Sequence, residues 1–341
     1  MQIKDIELAN ISRYRSELMG MAMLFVVLFH VGLPREDLFF GLRRMGNIGV
    51  DMFLFLSGIG LWFSWTKNPD TRSFYLHRMV RIYPTWLVIA LLFYVPDYLC
   101  PDLVMHHGHS TNIIDLIGDI SINWDFWLHD ELTFWYIPAT MMLYLVTPAY
   151  MQLIIKHPIY RWSPVVMVMW CILVALVTPI NHLVGHLEIF WSRVPIYFIG
   201  INIGAAVKRK DTMDGASIWM IIIIFVMALA SSIFLEQVKH GQFPLFLERM
   251  LYIPLTITTI LLLNRVFRCT PVWFNKTCAW VGGLSLETYL LHHQFVLIYV
   301  ERLEWNYWFT FLTTISIVLP LAWVFQKCMN AVVKPIERKL K

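Results

Sequence analysis

Ionisable side chains set inside long apolar stretches are the residues of this sequence best placed to do chemistry. His30 closes the run ELMGMAMLFVVLFH, and Asp51 sits early in the next apolar run, GVDMFLFLSG. A charge inside a bilayer costs a few kcal/mol, so such groups face a cavity or a partner. His30 lies about 13 residues along a helix rising from the cytoplasm, roughly 20 Å at 1.5 Å per residue. Asp51 lies about five residues into the returning helix, at a similar depth. The pair reads as a general base whose tautomer an acid fixes, or as a polar contact that only locks two helices together. Both readings stay open at this point.

Glu287, Tyr289 and His292 follow in LSLETYLLHH. Glu287 and His292 are five apart, so on a helix they diverge instead of stacking. His293 is expected to point elsewhere as a polar lining residue. Arg193, in SRVPIYFIG, lies inside an apolar stretch and needs a carboxylate, a carbonyl or an anionic ligand. Arg78 and Arg81 are three apart in FYLHRMVRIYP, on one face of a helix entering the membrane. Two guanidiniums there grip phosphates or anchor the helix among lipid headgroups.

The elements that position these groups are membrane spans. Of 341 residues, 58% are hydrophobic and 15% charged, with a mean hydropathy of +0.60. Soluble domains carry nearer a quarter charged residues, so this composition excludes that class. A net charge of +4 gives no reason to expect a nucleic-acid partner. Apolar stretches long enough to span fall near 17–33, 46–65, 82–100, 132–154, 164–181, 187–207, 216–236, 250–267, 280–301 and 307–327. With the N-terminus inside, 20 of the 27 Lys and Arg fall in cytoplasmic segments and 6 in outer loops, with Arg193 inside a span. That bias sets both termini in the cytoplasm.

The expected fold is therefore all-α, a polytopic membrane helical bundle of about ten transmembrane helices, with 1–341 forming a single domain. The outer loop near 101–131 has no Lys or Arg and carries His106, His107, His109 and His129 among its acids. It reads as a translocated loop kept free of positive charge; HHGH also offers imidazoles to a metal, but its spacing matches no specific template and no metal is expected. Five scattered cysteines give neither a disulfide framework nor a zinc site. The polar N-terminus leads into a retained helix and not a cleaved signal. No internal repeat is evident.

Six stretches in order resemble the integral membrane acyltransferase family 3, the O-antigen and polysaccharide O-acetylase type. They are ELMGMAMLFVVLFH at 17–30, GVDMFLFLSG at 49–58, FYLHRMVRIYP at 74–84, WYIPATMMLYLVTP at 135–148, RVPIYFIGINIG at 193–204 and LSLETYLLH at 284–292. The resemblance implies a multi-pass O-acetyltransferase of the cell membrane. Such an enzyme moves an acyl group, usually acetyl, from cytoplasmic acetyl-CoA to a hydroxyl of an extracytoplasmic glycan or cell-envelope polymer. It implies transfer chemistry at His30, the paired donor-binding arginines at Arg78 and Arg81, and the motif acid at Asp51. Three positions, in two motifs, depart from the family pattern. Met19 stands where an arginine is common, and Thr140 and Met141 stand where an acidic pair is common.

On this reading the acyl-CoA phosphates dock on Arg78 and Arg81, and His30, oriented by Asp51, deprotonates the acceptor hydroxyl. Ser57 and Tyr289 are the candidates for stabilising the oxyanion, and a covalent acyl-histidine relay is the variant. Acceptor choice would rest on outer loops such as 101–131. The rival class is a proton-coupled transporter or flippase of a polar substrate, which would use the same buried groups as a relay. Matching halves with broken helices mark many such folds, and none is evident here.

Overall fold

The computed structural model describes residues 5–101 and 110–339, with side chains through Pro335. His106, His107 and His109 lie outside the described residues. Hydrocarbon offers no partner to backbone N–H and C=O groups, so apolar spanning segments close their hydrogen bonds as helices. The chain is accordingly an all-helical membrane bundle. A single two-stranded ladder among the described residues pairs Ile6 with Met213 and ties the N-terminal arm to a loop at the same end.

Among the described residues, seven helices are long and apolar enough to cross a membrane. They are Phe40–Lys67, Thr71–Leu99, Tyr136–Lys156, Pro158–Leu176, Ser217–Gln237, Leu245–Phe267 and Tyr307–Pro335. The pair Thr178–Trp191 and Val194–Arg209, bent by 43°, makes an eighth if read as one broken span. The remaining two stretches carry the histidines and are not long continuous helices. Arg15–His30 has only 16 residues. The stretch after it in this pair is divided into Val272–Gly283, Ser285–Leu291, a π-helical turn His292–Leu297 and Ile298–Glu301. Breaks and π turns of this kind concentrate where side chains are placed for work.

The Asp51 helix, Ile48–Lys67, is buried along most of its length and forms the axis of the bundle. Glycines let its neighbours close in. Gly58 lies against the Tyr197 carbonyl of Val194–Arg209, and Gly200 of that helix lies against the Phe55 carbonyl. Gly20 and Gly282 do the same for the His30 helix and Val272–Gly283, against Cys278 and Ser16 carbonyls. A Cβ at any of these four would strike backbone, so they set how closely the helices approach.

The described part of the supposed outer loop is not a free loop. Asn112 caps the helix Ile113–Ile122 by accepting from the Ile114 and Asp115 N–H groups. That helix packs along Thr71–Leu99, where the Trp86 indole donates to the Ile120 carbonyl (3.0 Å) and the Tyr94 hydroxyl to Asn123 Oδ1 (3.0 Å). Asp119 and Asp125 are buried, and Asp119 Oδ1 accepts the Asp125 N–H at 2.8 Å. Absence of Lys and Arg marked this segment as extracytoplasmic, but its apolar residues and buried hydrogen bonds fold it back on the bundle.

Candidate active site

The His30 helix ends where Val31 turns extended, and the next N–H, that of Gly32, donates to Glu301 Oε1 at 2.8 Å. His30 is thereby held at the helix C-terminus beside the π turn. Its Nδ1 lies 2.8 Å from the Val26 carbonyl and 3.2 Å from His292 Nε2. His292 Nδ1 in turn lies 2.8 Å from the Tyr289 carbonyl and 3.1 Å from that of Thr288. A carbonyl only accepts, so both Nδ1 atoms carry the proton in the neutral rings. His292 Nε2 is then an acceptor facing His30 Nδ1–H, and the lone pair of His30 is on Nε2. Protonation there would leave an imidazolium whose Nδ1–H faces two acceptors, the arrangement a general base needs.

His293 joins this cluster instead of pointing away. Its ring centroid is 5.3 Å from that of His30 and 6.2 Å from that of His292. The rings of His292 and His293 flank His30, at 4.8 Å for His292. Among the described residues, no three His, Cys, Asp or Glu side chains are set to hold a metal ion.

The expected partnership of His30 with Asp51 is not what the structure forms. Asp51 Oδ1 faces Arg193 Nε at 3.8 Å, and the same guanidinium donates from Nη2 to Asn47 Oδ1 at 3.0 Å and from Nη1 to Ser192 Oγ at 3.2 Å. Arg193 also stands 5.2 Å over the Trp135 ring. Each buried charge needs the other more than either needs an imidazole, since an unpaired one would cost several kcal/mol. Glu188 with Arg249 (3.7 Å) and Glu236 with Arg44 (2.8 Å) extend a belt of ion pairs that the sequence reading did not foresee. Glu287 is buried too, and it accepts from Gln326 on Tyr307–Lys339 at 3.2 Å.

At the other end of the His30 helix lies a cavity of about 270 Å³. Arg15, Arg78 and Arg81 line it together with Ser57, Tyr136, Tyr144 and Tyr289. Arg78 and Arg81 share a helix face as their spacing requires. Arg15 adds a third guanidinium, held by Nε to the Leu56 carbonyl at 3.4 Å. Among the described residues none of the three makes an ion pair. Met19 and Thr140, the two cavity-lining positions that depart from the family pattern, also face this space.

Tyr289 lies between the cavity and the histidines. Its ring is 5.3 Å from Tyr136 and 5.9 Å from His292. Its hydroxyl accepts the Tyr136 N–H at 3.3 Å, which leaves its own O–H free to donate. Ser57 is bonded instead to the Tyr144 hydroxyl at 3.2 Å. His30 does not line the cavity, so a ligand there meets Tyr289 and Tyr136 before it meets the imidazole.

Comparison with known proteins gives this geometry its context. The acyltransferase domain family Acyl_transf_3 matches residues 18–327, and the chain belongs to that family. It is also similar to the Regulator of hypoxia-inducible factor 1 of Caenorhabditis elegans, at 27% identity over 40% of this chain and 33% of that protein. The match thus spans about a third of that relative's length. No solved structure matches.

Proposed function

We propose that this membrane acyltransferase moves an acyl group, acetyl in the first instance, from cytoplasmic acyl-CoA to a hydroxyl of an extracytoplasmic glycan or envelope polymer. The observation that carries the reading is the placement of His30. Its Nδ1 is committed to acceptors, which leaves Nε2 as the base. Three arginines that make no ion pair among the described residues line a cavity at the far end of the same helix. Phosphates of acyl-CoA suit that cavity, because guanidiniums bind phosphate oxygens through charge-assisted hydrogen bonds. The bias of 20 Lys and Arg against 6 supports ten crossings of the cell membrane with both termini cytoplasmic.

In the reaction, His30 Nε2 takes the acceptor O–H proton as the oxygen attacks the thioester carbonyl. The Tyr289 hydroxyl donates to the oxyanion that forms. The C–S bond then breaks, and the imidazolium returns its proton to the departing thiolate. Val26 O and His292 Nε2 hold His30 in the required tautomer and stabilise its cation, the part first given to Asp51. The Asp51–Arg193 pair holds the Asp51 and Val194–Arg209 helices in register around the site. Tyr289 and Tyr136 must part for the thioester to reach His30.

The test is His30→Ala in purified, membrane-inserted protein, with labelled acetyl-CoA as donor. Acyl transfer should disappear while added acetyl-CoA still raises the thermal midpoint, since donor binding resides at the arginines. Transfer retained at the wild-type rate would remove the mechanism.

A further inference from the structure

A larger cavity lies apart from the arginine pocket. It is an apolar groove of about 870 Å³ on the other side of the His30 helix, at the end that carries the imidazole. Phe25 and Leu28 of that helix form one wall, with Leu229, Leu255 and Leu312 opposite. Leu42 and Trp308, which line it, are largely exposed. Of its polar groups, Asp37 and Asn306 come from connecting segments and Arg43 from the start of Phe40–Lys67, while Thr259 and Tyr307 lie on its helical walls.

Three hydrogen bonds tie the groove to the backbone around His30. Arg43 Nη1 donates to the carbonyls of Phe29 (3.0 Å) and Val31 (2.8 Å), the residues on either side of His30. The Tyr307 hydroxyl donates to the Leu28 carbonyl at 2.9 Å. The groove wall and the base are thus parts of one fixed structure. A cavity with an apolar body and a polar rim beside a reacting group has the polarity of an amphiphile, and its volume is that of a ligand site.

We propose that this groove holds the hydrocarbon tail of the acceptor, so that the hydroxyl reaching His30 belongs to a lipid-anchored molecule. The inference rests on the acyl-transfer reading and names its acceptor class. The tail enters laterally from the bilayer, and the polar head lies at the Arg43 rim next to His30. The donor uses the arginine cavity, so the two substrates approach from opposite sides of one helix.

The experiment uses the full chain in nanodiscs and a dodecyl maltoside analogue carrying a diazirine at the end of its alkyl chain. Irradiation should label the segments 225–229, 255–259 and 307–312 above all others. Leu229→Trp and Leu312→Trp, which fill the groove and lie outside the arginine cavity, should each cut that labelling fivefold or more. Unlabelled dodecyl maltoside should compete. Labelling spread evenly over lipid-facing helices such as Pro158–Leu176 would mean bulk lipid only and overturn the proposal. Competition by palmitoyl-CoA but not by dodecyl maltoside would assign the groove to the donor and overturn it equally. His30→Ala should leave the labelling unchanged. Transfer surviving in that variant therefore sinks the reaction and not the groove.

Discussion

Arg15 and His30 are the first and last residues of one helix of 16 residues, and they stand in unlike surroundings. Around Arg15 gather Arg78 and Arg81, three like charges with no ion pair among the described residues and an open cavity between them. Around His30 gather two more imidazoles and the Val26 carbonyl, packed ring against ring. The first arrangement turns positive charge toward the cavity. The second presents acceptors to Nδ1 and leaves Nε2 free for a proton. Binding and chemistry are divided between the ends of a helix roughly 22 Å apart by its rise per residue. Tyr289 touches both regions.

That division is open to direct attack. His30→Ala carries the largest expected effect, a loss of about 10²–10⁴ in kcat, as for removal of a general base; the control is an unchanged acetyl-CoA thermal shift. Asp51→Asn should act on stability and not on chemistry, costing about 3–5 kcal/mol because Arg193 is left buried without its counter-charge. Denaturation in detergent micelles measures that cost. Asp51→Leu combined with Arg193→Met should recover most of it together with activity, whereas a catalytic Asp51 would leave the double variant dead.

Tyr289→Phe keeps the ring that separates the two ends and removes the hydroxyl. Its kcat should fall by about 10²–10³, the usual effect of losing an oxyanion donor, with KM for acetyl-CoA little changed. A rise in KM alone would move Tyr289 to the binding end. Arg78→Ala has the smallest effect, a loss of about 1.5–3 kcal/mol in charge-assisted hydrogen bonding. It should appear as a tenfold to hundredfold higher KM for acetyl-CoA with kcat nearly intact. A fall in kcat without a change in KM would abolish the distinction between the ends.

Much of this was legible in the sequence. Helical spacing put Arg78 and Arg81 on one face, and the cavity has them there. His30 was marked by its polarity in an apolar run. Arg15 lines the same cavity, one turn before Met19 on the His30 helix. Asp51 misled because depth along two antiparallel helices made it seem a neighbour of His30. Its neighbour is Arg193, which the sequence had already flagged as a charge in need of a partner. His293 was misjudged because a regular helix sets adjacent side chains about 100° apart, and neither the π turn nor the position of His30 between the two rings can be read from LLHHQF.

Composition and local periodicity by themselves determined that the chain is a helical membrane protein, where most helices run and which groups are costly to bury. Those properties depend on each residue and its near neighbours in sequence, because water and hydrocarbon act on segments one at a time. Only the tertiary structure decided which of the costly groups meet. Depth fixes one coordinate of a side chain. Its direction around the helix axis and the distance to the next helix depend on packing, here set by contacts such as Gly58 on Tyr197 and Gly20 on Cys278. Those contacts place Asp51 against Arg193 and leave His30 to His292.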